Sequence, residues 1–142
     1  MFGWLSQRMR AWVASSEERD RRRVQELAGG DEPLLFATAT SLGDVAAGLR
    51  GTLILTANHL HFVAPDPGRQ PRRIDLLLTE IREVTTEGAE LATRVAVGSP
   101  ALTALAIRAA DGQTFRFRVY RDDEWASAIA GVRAEALRHR LD

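Results

Sequence analysis

The pattern of apolar residues changes near residue 30 and divides the chain into two parts. In the first part, apolar side chains recur at steps of three and four, which predicts an amphipathic helix over residues 2–28. The positions that form this stripe are Phe2, Leu5, Met9, Trp12, Val13, Val24 and Leu27. Gly29 and Gly30 follow, and glycine is the usual residue just beyond a helix end. We therefore expect an N-terminal helix and Gly linker over residues 1–30, and one domain over residues 31–142.

Beyond Pro33 the apolar runs become short and are separated by turn residues, which predicts β-strands. The predicted strands are Leu34–Thr40, Leu49–Thr56, His59–Ala64, Arg72–Leu77, Ile81–Thr86, Leu102–Ala109 and Gln113–Tyr120. Ala57 and Asn58 form a tight connection between the second and third strands, where Asn58 is able to take a positive φ. Residues 88–100 fit either a strand extension or one turn of helix.

Alternation along the strands assigns side chains to opposite faces of the sheet. One face receives Gly51, Leu53, Leu55, Leu60, Phe62, Phe115, Phe117 and Val119. A helix then starts at Asp122 or Asp123, either of which can cap it. Its early aromatic residue, Trp125, can close the open end of a small barrel. The pattern predicts a mainly β fold with helices, in which a seven-stranded partly open β-barrel is capped by a C-terminal α-helix.

The hairpin from Gly51 to Phe62 reads GTLILTANHLHF and resembles the G-x-L-x-L-T-x-x-x-L-x-F hairpin of GRAM and bacterial PH-like domains. Further positions that match in order and spacing are Ile74, Leu76, Ile81, Val84, Asp111, Gly112, Phe115, Phe117 and Trp125. The resemblance spans roughly residues 33–141 and implies the PH-like superfold, which serves binding rather than catalysis. The N-terminal helix lies outside it.

Composition restricts the possible partners. The formal net charge is zero, from 19 basic and 19 acidic residues, so no overall field attracts nucleic acid, and we expect none to bind. Cysteine is absent, which excludes disulfides and thiolate metal sites and fits a cytoplasmic protein. No stretch is apolar enough to be a signal peptide or a membrane span. The expected location is the cytoplasm, with peripheral contact at the inner face of the membrane as an alternative.

The sequence contains one candidate anion site. PH-like domains that bind phosphoinositides use basic residues near the first hairpin loop, but residues 41–48 contain no basic residue and one acid. The remaining basic cluster combines Arg69, Arg72 and Arg73 with the outward-facing His59 and His61. The two histidines also suggest a metal pair. We expect them to be surface histidines with no metal, because Asp66 and Asp75 lie across a loop and offer no third ligand at convincing spacing.

No catalytic arrangement emerges from the remaining polar residues. The serines have no histidine at a recognisable offset, and no Gly-rich segment leads into a helix as a phosphate loop would. We expect no enzyme activity and no cofactor.

The N-terminal stripe is the stronger functional candidate. Its predicted contact residues are Phe2, Trp4, Leu5, Met9, Trp12 and Val13, with Arg8 and Arg10 on the flanks. Such a helix suits association with a protein partner or a second copy. The alternative is a helix lying on an anionic membrane surface, assisted by the Arg-rich loop.

Overall fold

The computed structural model describes residues 18–42, 48–87 and 104–141. Their elements are α1 (Glu18–Leu27), β1 (Leu35–Ser41), β2 (Arg50–Leu55), β3 (His59–Ala64), β4 (Arg72–Leu77), a 3₁₀ turn (Leu78–Glu80), β5 (Ile81–Glu87), β6 (Ala104–Ala109), β7 (Thr114–Val119) and α2 (Asp122–Leu141). All seven predicted strands are confirmed to within about two residues. The predictions for residues 2–17, most of the first hairpin loop and residues 88–103 lie outside the described residues.

The strands form one antiparallel sheet in the order β4-β3-β2-β1-β7-β6-β5. The first four strands make one meander and the last three make another. Strand β1 joins them, because it pairs with β2 along one side and with β7 along the other. The sheet curls into a half-barrel, and α2 follows its last strand. This is the mainly β fold with helices that the sequence predicts.

The core fills the concave side of the half-barrel. The inward residues predicted from alternation are buried there, and the Phe62 and Phe117 rings from the two meanders lie 5.1 Å apart. Trp125 is fully buried in the same cluster, together with Ile129 and Val132 from α2. Helix α2 packs mainly against β5, β6 and the 3₁₀ turn. Trp125 therefore closes the barrel as its position after the last strand predicts.

Gly51 lies where β2 passes very close to β3. The ladder between these strands ends at the pair Thr52–Val63. A Cβ atom added at Gly51 would lie 2.3 Å from the Val63 carbonyl oxygen and 2.8 Å from the Ala64 Cα atom. Only a residue without a side chain permits this approach, since the obstructing atoms belong to backbone.

The β2–β3 connection is tight, as predicted, but it does not use a left-handed residue. Asn58 does not take a positive φ, because Arg121 is the only non-glycine residue to do so in the described segments. The Thr56 hydroxyl instead accepts hydrogen bonds from the Asn58 and His59 backbone N–H groups, at 3.4 and 3.1 Å. This side-chain cap closes the turn without a left-handed residue.

Helix α1 packs on the convex face of the sheet. Val24 and Ala28 are buried against Ile54, which points outward from β2 and is fully buried, and Leu27 and Phe36 border the contact. The apolar positions at the end of the predicted helical stripe thus dock α1 on the sheet. The following residues are held against β3, where they meet the two histidines.

Candidate functional site

The described polar residues that cluster most closely lie on the convex face of β3, beside the end of α1. Leu60 and Phe62 point into the core, so His59 and His61 share the opposite face of the strand. Their rings stack with centroids 5.1 Å apart and planes inclined by 16°. Strand β4 borders them on one side, and the segment after α1 covers them.

His61 is buried, which corrects the expectation of a surface histidine. Only 6% of the residue is exposed, because the chain leaving α1 lies over this part of the sheet. Its Nδ1 atom lies 2.6 Å from Asp75 Oδ1, on the residue directly opposite in β4. Because a carboxylate accepts a proton donor, this contact assigns the hydrogen to Nδ1. Within the described residues the buried Nε2 atom has no hydrogen-bond partner.

Arg73 links this pair to α1. Its guanidinium donates to both carboxylate oxygens of Asp75, at 3.1 and 3.3 Å, and to the Leu27 carbonyl oxygen at 2.8 Å. Burial of Asp75 acts to raise its pKa, but hydrogen bonds from Arg73 and His61 outweigh it and hold that pKa below the usual 3.8. Asp75 is therefore ionised at neutral pH and fixes the orientation of the His61 ring.

Asp31 reaches the cluster from the segment that connects α1 to β1. Gly29 and Gly30 both take positive φ, at 72° and 99°, and reverse the chain so that Asp31 approaches β3. Its Oδ2 atom lies 3.4 Å from His59 Nδ1. That nitrogen is buried and makes no hydrogen bond with suitable geometry to a described residue. One potential ligand atom from each of Asp31, His59 and His61 lies within 4.8 Å of the other two.

The predicted anion site is assembled only in part. Arg72 pairs with Asp66 at 3.3 Å, and Arg73 pairs with Asp75. With Asp31 beside His59, three carboxylates lie among Arg72, Arg73 and the two histidines of the predicted cluster. This balance of charges leaves no excess positive charge to bind an anion. Carboxylates beside imidazoles favour the binding of a cation over that of a phosphate. Anion binding by Arg69, Arg72, Arg73, His59 and His61 stays a prediction.

An apolar groove runs between α1 and the convex face of the sheet. It has a volume of about 600 Å³. Val24 and Leu27 line it from the helix, while Phe36 and Val63 line it from the strands. Asp20 and Arg23 add charge along the helix side. The predicted contact residues Phe2, Trp4, Leu5, Met9, Trp12 and Val13 lie outside the described residues.

Asp31 is the residue that sequence reasoning missed. It precedes the first strand, and only the docking of α1 brings it to β3. The position of Asp75 could have been predicted from the sequence, because an antiparallel pairing of β3 with β4 across the loop of residues 65–71 places Asp75 opposite His61. In the sequence Asp75 is separated from the histidines by this loop, so the cross-strand contact was not predicted.

Comparison with known proteins supports the fold and nothing finer. No protein-family model matches the chain, and no curated protein matches it. A solved structure, the C-terminal domain of an unknown protein from Leishmania infantum, is similar with a TM-score of 0.59 and 15% identity. The match covers 82% of this chain and 97% of that domain. In the described part of the chain, neither helix has the combination of length and apolar character that crossing a bilayer requires.

Proposed function

We propose that this chain is a non-catalytic binding module of the PH-like class, closest to GRAM and bacterial PH-like domains. In this proposal, residues 2–13 associate with a second copy of the chain. The motif supports the class, because Gly51, Leu53, Leu55, Leu60 and Phe62 occupy the buried positions that such a hairpin would require.

The observation that carries the proposal is the way α1 meets the sheet. This contact uses Val24, Leu27 and Ala28, which all follow the N-terminal apolar stripe in sequence. Among the described residues, docking of α1 on Ile54 uses the end of the helix. In this proposal the stripe from Phe2 to Val13 is a separate binding segment.

The groove beside α1 supplies a receptor for such a segment. Its lining by Val24, Phe36 and Val63 suits an apolar helix face, and Asp20 offers a carboxylate to Arg8 or Arg10. Helix α1 begins close to this groove, so two copies can exchange their N-terminal segments with little extra chain. Exchange of identical segments is a low-cost route to a symmetric dimer.

The test uses the full chain, a Trp12→Glu variant and a Tyr120→Glu control, in which an exposed aromatic residue at the end of β7 receives the same charge. Molar mass is measured by light scattering after size exclusion, and stability is measured by urea unfolding. We expect a dimer for the wild type and the control, and a monomer of unchanged intrinsic stability for Trp12→Glu.

Two results would overturn the proposal. A monomeric wild type that loses stability on Trp12→Glu substitution would show that the segment fills the groove of its own chain. A monomeric wild type of unchanged stability that co-sediments with phosphatidylglycerol vesicles through Trp12 would establish the membrane alternative.

A further inference from the structure

We infer that Asp31, His59 and His61 form a binding site for one divalent transition-metal ion, with Zn²⁺ the best-suited common metal. The site goes beyond the proposed binding role and does not depend on it. Two imidazoles and one carboxylate form a ligand set that transition metals prefer to Mg²⁺ or Ca²⁺, which select oxygen ligands.

The orphaned nitrogen of His61 is the first argument. Asp75 accepts the proton of Nδ1, so Nε2 carries a lone pair, and no described residue donates a hydrogen bond to this buried atom. Buried polar atoms are nearly always satisfied, and each exception needs an explanation. A metal ion would accept this lone pair, and it would accept that of His59 Nδ1, which also makes no hydrogen bond to a described residue.

The spacing of the ligands is the second argument. In a tetrahedral zinc site with metal–ligand distances of about 2.0–2.1 Å, ligand atoms lie roughly 3.3 Å apart. One ligand atom from each of the three residues lies within 4.8 Å of the other two, so side-chain rotation can close the site. Asp31 can supply this movement, because its side chain is 46% exposed and follows two glycines. The two histidine rings are stacked with planes inclined by 16°, so one ring must turn about its side-chain bonds before both lone pairs reach one ion.

The surroundings of the ligands are the third argument. Metal-bound histidines usually donate their second ring N–H to a carboxylate, which orients the ring and raises its basicity. Asp75 makes this contact with His61, and Arg73 holds Asp75 in place through both oxygens. Asp75 thus acts as a positioning residue. The exposed side near Asp31 leaves room for water as a fourth ligand.

The experiment uses the full chain after chelator treatment and removal of the chelator. Zn²⁺ binding is measured by calorimetry, and Co²⁺ serves as a spectroscopic probe of coordination. The variants are His59→Ala and Asp31→Asn, whose side chains are partly exposed and should not unfold the domain. His139→Ala is the matched control, because His139 is the third histidine and lies exposed on α2.

We expect one equivalent of Zn²⁺ to bind to the wild type and to His139→Ala with equal affinity. A third variant, Asp75→Asn, should weaken binding roughly 10- to 100-fold, because it removes the carboxylate that orients the His61 ring, and it should alter the Co²⁺ absorption band. His59→Ala should weaken it further. Failure of the wild type to bind Zn²⁺ would overturn the inference. Retention of wild-type affinity by both His59→Ala and Asp31→Asn would also overturn it, because the bound ion would then lie elsewhere.

Discussion

Replacement of Gly51 by alanine tests the close approach of β2 and β3. The added Cβ would lie 2.3 Å from the Val63 carbonyl oxygen, about 1 Å short of the 3.4 Å at which ordinary contact begins. Overfilling a packed region typically costs about 1–3 kcal/mol, and the upper end applies because backbone cannot rotate away. Reduced freedom of the unfolded chain offsets about 0.4–1 kcal/mol. We therefore expect Gly51→Ala to lower the free energy of unfolding by about 2 kcal/mol or more.

Gly68→Ala provides the control for this measurement. Gly68 has a φ of +77°, and no atom lies within 4 Å of an added Cβ, so only backbone strain of roughly 1–2 kcal/mol opposes the same unfolded-state gain. Urea unfolding followed by fluorescence gives both free energies. If Gly51→Ala were no more destabilising than Gly68→Ala, the two strands could separate freely and the steric argument would fail.

Two further substitutions test the two faces of the sheet. Trp125→Ala should lower the free energy of unfolding by about 3–5 kcal/mol, because a fully buried indole leaves a cavity in the barrel; a near-neutral result by urea unfolding would contradict the plugging role. Ile54→Ala should cost about 2–5 kcal/mol and also accelerate tryptic cleavage at residues 21–23, since it removes the surface on which α1 docks. Leu53→Ala, equally buried on the concave face, is the control, and equal early cleavage in both variants would refute the docking argument.

The strands were predictable because alternation is a local signal. Inward residues recur at every second position along a strand, as Leu53 and Leu55 do in β2 and Phe115 and Phe117 do in β7, and this face of the sheet is buried. Their assignment needed no knowledge of which strands pair. Trp125 was predictable for a similar reason, since a large aromatic residue directly after the last strand has an open barrel end within reach.

The candidate metal site could not be predicted in the same way. Alternation placed His59 and His61 on one face but treated that face as solvent-exposed. Burial of His61 depends on α1, whose docking on Ile54 is a contact between residues far apart in sequence. The same docking delivers Asp31. The sequence predicts no metal there, because the third proposed ligand, Asp31, precedes the first strand and comes near the histidines only through a long-range contact.

The seam between the two meanders has a consequence for how the chain folds. Within each meander, paired strands are neighbours in sequence and can form early. The seam itself consists of three residue pairs, Ala39–Val119, Thr40–Arg118 and Ser41–Phe117, which join positions almost 80 residues apart. Closing so long a loop carries the largest entropic cost of any strand pairing in this sheet. The pairing of β1 with β7, which joins the two meanders, is therefore the step that completes the half-barrel.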